Sequence, residues 1–134
     1  LENYCKTVVI EANTMADMAK TQIAPAVEEY AAELSRSAAA KKALDSSLAC
    51  GYEAVLVKKL SALTDRIAVK AEELENAVIL LARAEDIVAE SAMIRDEVLV
   101  RMSELRLACD EAETLTAKKY WPFPTYGDML FGVR

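Results

Sequence analysis

Apolar side chains recur at intervals of three and four residues through most of the chain. The clearest series consists of Leu56, Leu60, Leu63, Ile67, Leu74, Ala77 and Leu81, and Lys70 is its one interruption. Residues three and four apart share one face of an α-helix, so the series predicts a helix with a single apolar stripe. No glycine or proline lies between Tyr52 and Tyr120, so no helix-breaking residue interrupts that span.

Two further stripes flank this one. The first comprises Val8, Ala12, Met15, Ala19, Ile23, Val27, Tyr30 and Leu34, and the last comprises Ile94, Val98, Met102, Leu105, Cys109, Ala112 and Leu115. Together the stripes predict an all-α fold, an antiparallel bundle of three long helices at about 2–36, 47–87 and 91–117, within residues 1–119. Pro25 lies inside the first stripe, so the helix either kinks there or restarts. The unbroken stripe favours a kink.

The two turns are marked unequally. Asp45, Ser46 and Ser47 are residues that can cap a helix start, so we expect a turn within residues 37–46 and a second helix from about Ser47. The break before the third helix has no glycine or proline. Ser91 is the candidate N-cap there, and the position of this boundary is expected only to within about four residues.

The last fifteen residues differ in composition. Residues 120–134 contain the only tryptophan, both phenylalanines and two of the three prolines. A residue before proline favours extended backbone, so Trp121 and Phe123 should lie in a non-helical arm. Large rings are costly to leave in water, which predicts that the arm packs either on its own bundle or on a neighbouring domain or subunit. The candidate packing or interface anchors are Trp121, Phe123, Tyr126, Leu130 and Phe131.

Charge and residue types narrow the function further. The net charge of −6 and the scattered lysine pairs argue against a nucleic-acid partner. The longest apolar run, residues 77–82, is far shorter than the ~20 residues of a membrane span. Three distant cysteines fit neither a disulfide framework nor zinc spacing and point to a reducing, cytoplasmic setting.

Catalytic chemistry is not indicated in this chain. It has no histidine, and its three scattered glycines cannot form a phosphate-binding loop. The many carboxylates are interleaved with lysine and arginine, as on a solvated helix face. We therefore expect no catalytic, cofactor-binding or metal-binding residue here.

Both ends of the chain resemble one family. The tail from Trp121 through Asp128 to Leu130 and Phe131 resembles the C-terminal end of type III glutamine synthetases. Residues 10–27, with Ile10-Glu11-Ala12 and Ile23-Ala24-Pro25-Ala26-Val27, resemble the helix that follows the catalytic domain of that family. Residues 95–98 and 105–106 fit its last long helix, whereas residues 36–90 are ordinary helical sequence.

This resemblance implies a piece of a larger enzyme. The family forms glutamine from glutamate, ammonia and ATP with divalent metal ions, in stacked hexameric rings, and its ligand-binding segments lie upstream of the region matched here. The implied role is a non-catalytic C-terminal domain that supports assembly, with the catalytic domain of the same chain and neighbouring subunits as partners, and the isolated piece could form a homodimer. The alternative is a free-standing helical module for protein–protein interaction.

Overall fold

The computed structural model describes residues 2–124, and that part of the chain is helical without any strand. The first helical segment consists of α1 (Glu2–Met18), a π turn (Ala19–Ile23) and α2 (Ala24–Leu44) without a break. The second is α3 (Gly51–Leu81). The third consists of α4 (Ile87–Met93), a second π turn (Ile94–Val98) and α5 (Leu99–Leu115), and a 3₁₀ turn (Lys118–Tyr120) follows it. The all-helical prediction is confirmed.

The helix continues through Pro25 by widening into a π turn. Pro25 has no N–H group, and in a regular α-helix its ring would crowd the carbonyl of Thr21. In the π turn just before it, the N–H of Ala24 donates to the carbonyl of Ala19, five residues back. This wider turn accommodates the proline, so the chain neither stops nor restarts here.

The first turn lies later than the sequence predicts. The first segment ends at Leu44 instead of about residue 36, because residues 38–44 are strong helix formers with no terminating signal among them. Asp45 then leaves the helix, and its carboxylate accepts from the backbone N–H of Ser47 at 2.9 Å and from its hydroxyl at 2.7 Å. Asp45 therefore closes the turn, and α3 begins at Gly51 and not at Ser47.

The second turn lies earlier than predicted. α3 ends at Leu81 instead of residue 87, and the third segment begins at Ile87 instead of residue 91. Its N-cap is Asp86, whose carboxylate accepts from the N–H of Ala89 at 2.7 Å. Ser91 lies inside α4, so its expected role as the cap was wrong. In the sequence Asp86 is one of several neighbouring charged residues, and nothing in the residue pattern distinguishes it as the cap.

The predicted stripes form the core. Every position named in the three stripes is buried or half-buried, and the largest fully buried side chains are Leu60, Ile67, Leu74, Leu105, Val27 and Val98. Many small side chains pack between them, and Ala12, Ala71 and Ala112 have no exposed surface. Small residues allow helices to approach closely, so the high alanine content reflects close packing.

The interruption at Lys70 has a simple geometric explanation. Its neighbour Ala71 takes the buried position, and the Lys70 side chain lies at the edge of the core. The ammonium contacts Glu73 at 3.1 Å and Glu104 of α5 at 3.8 Å. Lysine is thus placed where its stem can pack on the core while its charge meets carboxylates.

Ion pairs also connect the three segments. Lys20 bonds Glu75 at 2.9 Å, which links the first π turn to α3. Arg66 bonds Glu111 at 2.8 Å, which links α3 to α5. These pairs are exposed and contribute little to stability. They show which positions of the neighbouring segments lie side by side.

Candidate assembly surfaces of the helical domain

The described part of the C-terminal arm returns onto the bundle. Thr116 ends α5 in extended backbone, and the 3₁₀ turn after it brings Tyr120 against Tyr30 of α2. Their ring centroids are 5.2 Å apart with an angle of 35° between the planes, within the range of favourable aromatic pairs. Burial, the main cause, raises the pKa of the Tyr30 hydroxyl above its usual value. The pair holds the start of the arm to α2.

Two of the five predicted anchors lie in this described part. Trp121 has extended backbone, as expected before a proline, and both Trp121 and Phe123 are half-buried against the core. The other three, Tyr126, Leu130 and Phe131, lie outside the described residues. The structure thus brings two anchors to the bundle surface.

A second surface, which the sequence analysis missed, surrounds the turn between α3 and α4. Four large aliphatic side chains are exposed there: Ile79 by 55%, Leu80 by 49%, Ile87 by 65% and Val88 by 79%. We call these four residues the turn patch. Scattered exposed aliphatics are normal, but a group on both sides of one turn is typical of a contact surface. The signal in the sequence was the run of residues 77–82, which is apolar on every helix face.

The turn patch lies at the end of the bundle from which α1 starts. Asn13 of α1 and Ile79 line the same surface depression, and the Lys20–Glu75 ion pair lies further along it, so the start of the first segment runs beside the end of α3. From Asn13, α1 continues for about three turns back to Glu2, beyond the level of Ile79. The start of α1 therefore lies at the same end of the bundle as the turn patch.

The opposite end of the bundle contains a buried ion pair. Glu53, near the start of α3, has a side chain only 4% exposed, and its carboxylate meets the Lys41 ammonium of α2 at 2.6 Å. The hydrogen bond from Lys41 lowers the pKa of Glu53 below its ordinary value, and it raises the pKa of Lys41. Both groups stay charged at neutral pH, so the pair is structural and is unsuited to proton transfer.

Two findings concern metal binding and cysteine reactivity among residues 2–124. Within residues 2–124 no three cysteine or carboxylate side chains come close enough to hold a metal ion. Burial raises the pKa of the Cys109 thiol to about 11, so this cysteine is not an activated nucleophile at neutral pH. None of the helices among these residues is long and apolar enough to cross a membrane.

Comparison with known proteins shows similarity to glutamine synthetases. Residues 1–42 match the family model of the glutamine synthetase C-terminal domain. A glutamine synthetase of Butyrivibrio fibrisolvens is 31% identical over 134 residues, which is 100% of this chain and 19% of the relative. A type-3 glutamine synthetase of Dictyostelium discoideum is 24% identical, with 97% of this chain and 18% of the relative covered. No solved structure matches the chain.

These matches define the class of protein: an all-helical domain related to the C-terminal part of glutamine synthetases. The resemblance to the C-terminal helical domain of type III glutamine synthetases in particular is confirmed. The chain spans about a fifth of the length of the curated relatives it matches.

Proposed function

We propose that this chain is the non-catalytic C-terminal domain of a type III glutamine synthetase, an enzyme that joins ammonia to glutamate at the expense of ATP in the cytoplasm. ATP and divalent metal ions bind elsewhere in the enzyme, and this domain supports its assembly. The observation that carries the proposal is the alignment of the whole chain with a fifth of a glutamine synthetase.

The packing supports a structural role. The predicted stripes fill the interior with aliphatic side chains, and the charged side chains form ion pairs along or between helices. Lys20 pairs with Glu75, and Lys41, further along the first segment, pairs with Glu53, nearer the start of α3. Residue numbers thus increase along the first segment while those of the facing residues of α3 decrease. The pairs Lys70–Glu104 and Arg66–Glu111 relate α3 to α5 in the same way. We infer that the three segments form an antiparallel bundle, a rigid unit suited to holding other parts of an enzyme in place.

The surface for assembly is the turn patch. Its four aliphatic side chains are the type of residue that becomes buried at subunit and domain contacts. It lies where the chain would join a preceding catalytic domain, so that domain and neighbouring subunits are its expected partners. The acidic, histidine-free chain has no feature of a nucleic-acid or membrane partner.

Trp121 and Phe123 have a different role in this proposal. Since both are half-buried against the core, we assign them to packing of the arm on its own bundle and not to contacts with another subunit. Residues that stabilise the bundle still affect assembly indirectly. If the bundle unfolds locally, the side chains of the turn patch are no longer held in position for a contact.

Hydrogen exchange tests the assembly role without any substitution. Amide exchange of residues 76–93 is compared between the isolated 134-residue chain and the full-length enzyme. We expect much slower exchange in the full-length enzyme, since its other domains cover the turn. The exposed α3 face around Val69 serves as the internal reference and should exchange alike in both. Equal exchange across residues 76–93 would leave the turn uncovered in the enzyme and would refute the assembly role; an interaction module independent of the enzyme would then be favoured.

A further inference from the structure

A second group of exposed apolar side chains surrounds the turn between α2 and α3. All four lie within residues 44–55, and they are Leu44, Leu48, Tyr52 and Val55. The turn patch surrounds the turn between α3 and α4, so exposed apolar side chains lie at both turns of the bundle. Groups of this kind are typical of contact surfaces.

Three exposed lysines border the group at the α2–α3 turn. Lys58 and Lys59 follow Val55 by three and four residues, so they share its face of α3. Lys42 lies beside the turn, and its ammonium donates to the carbonyl of Ser46 at 3.2 Å. None of the three lysines forms an ion pair with another residue of the described range 2–124. We call the four apolar residues and these three lysines the basic patch.

The turn patch has the opposite charge around it. Residues 72–90 contain six carboxylates and one arginine, whereas an equal length of chain around the other turn, residues 41–59, contains four lysines and two carboxylates. Glu72 lines the same surface depression as Ile79 of the turn patch. Three of the six carboxylates form no ion pair within the described part of the chain, and they are Glu72, Glu85 and Glu90. An unpaired excess of one sign of charge therefore borders each patch.

The two patches of one folded chain cannot contact each other. α3 carries part of each, and its 31 residues separate its two ends by about 46 Å. A contact between a basic patch and a turn patch must therefore join two copies of the chain.

The charges also favour one arrangement of two copies. A symmetric contact, between two basic patches or between two turn patches, would bring like charges together. A basic patch on a turn patch brings lysines to carboxylates instead. Apolar side chains leave water in either arrangement, so the difference between the two arrangements comes from the charges.

We propose that the basic patch of one copy binds the turn patch of a second copy, head to tail. The contact brings the three unpaired lysines of one copy to the three unpaired carboxylates of the next, around a centre of apolar side chains. Such a contact repeats from copy to copy, because each pair keeps one free patch of each kind. This inference rests on the proposed function, since it takes the turn patch as an assembly surface and names a neighbouring copy as its partner.

Two blocked variants of the 134-residue chain test the pairing. Ile79→Asp with Ile87→Asp blocks the turn patch, and Lys58→Glu with Lys59→Glu blocks the basic patch. Masses are measured by light scattering across a concentration series that extends to high concentration, since a small contact is weak. The parent mass should rise above that of the monomer, and each variant alone should stay monomeric. An equal mixture of the two variants should form a dimer, because it contains one intact patch of each kind.

Two controls separate the contact from misfolding. Val69→Asp and Arg106→Glu change exposed positions on the sides of the bundle, so each should associate like the parent. The helical circular dichroism signal should be the same in all variants and in the parent.

A charge exchange tests the role of the ion pairs. Glu72→Lys and Glu85→Lys are added to the Lys58→Glu, Lys59→Glu variant, so that opposite charges again face each other between copies. Association should return to near that of the parent, and it should weaken as salt is added.

Three results would overturn the proposal. A parent chain that stays monomeric at every concentration would show that its copies do not bind. Association of either blocked variant alone would show that two patches of the same kind pair. A mixture of the blocked variants that stays monomeric would show that the basic patch and the turn patch do not meet. The proposed function fails separately, because slower exchange of residues 76–93 in the full-length enzyme would support the assembly role even if these chains stayed monomeric.

Discussion

The Lys41 ammonium lies 2.6 Å from a Glu53 carboxylate whose side chain is only 4% exposed, although Lys41 itself is 46% exposed. The pair joins the last turn of α2 to the first turn of α3, on either side of the turn at residues 45–50. One Glu53 oxygen, Oε1, has no hydrogen-bond partner in the structure. The carboxylate is therefore dependent on Lys41, because a buried charge without its partner is strongly unfavourable.

The first prediction concerns Lys41→Met. At pH 7 this variant should unfold at a lower temperature than the parent chain, because it leaves the Glu53 carboxylate buried without a counter-charge. Thermal unfolding followed by circular dichroism measures the effect. Lys58→Met is the matched control, since Lys58 is an exposed lysine of α3, the helix that carries Glu53, and its transition should stay close to that of the parent.

The pH dependence of this loss has a definite sign. The pKa of Glu53 is lowered in the folded chain, so its contribution to stability is present above the unfolded value of about 4.3 and is lost as the pH falls through the folded value. The gap between the parent and Lys41→Met should therefore narrow as the pH falls below about 4. A gap that stays constant from pH 7 to pH 3 would contradict the ion-pair assignment.

The second prediction concerns the cap at the start of α4. Asp86→Ala removes the acceptor for the Ala89 N–H, and such losses typically cost about 1 kcal/mol within a range of roughly 0.5–2 kcal/mol. Urea unfolding gives the free energy of unfolding. Glu85→Ala changes the neighbouring exposed carboxylate and should have little effect; an equal loss in both variants would mean that Asp86 acts only through its charge.

The third prediction concerns the centre of the core. Leu74 is fully buried, so Leu74→Ala should lower the free energy of unfolding by roughly 2–5 kcal/mol through lost contacts and the cavity left behind. Val69→Ala, on the exposed face of the same helix, should change it by less than about 0.5 kcal/mol. Similar losses for the two variants would contradict the assignment of the buried face.

Much of the fold follows from residue spacing. Leu60, Ile67 and Leu74 lie on one face of the helix because residues three and four apart share a face, and this apolar face packs in the core. The ends of the helices could not be placed in the same way. At Asp45 and Asp86 the chain turns because one carboxylate accepts a backbone N–H, and the sequence offers many carboxylates in similar surroundings. Which of them serves as the cap depends on where the packed core ends.

The candidate surfaces could be predicted from the sequence less completely than the core. Trp121 and Phe123 stood out because large rings before prolines are rare in a helical chain. Ile79 and Leu80 did not, because they adjoin buried Leu81 and their exposure depends on the helix ending there. The burial of Glu53 could not be predicted from the sequence either. Glu53 contacts Lys41 near the end of α2, and α2 ends eight residues later than the residue pattern predicts.

Whether this domain supports assembly is tested by the mass of the full-length enzyme in solution, measured by light scattering with and without a disrupted turn patch. Ile79→Asp with Ile87→Asp places two charges in the patch, and Val69→Asp places one on an exposed apolar position of α3 outside it. We expect the double variant to form smaller assemblies than the parent and the control to keep the parent mass. An unchanged mass for the double variant, with the isolated domain still folded, would contradict the assembly role of this domain.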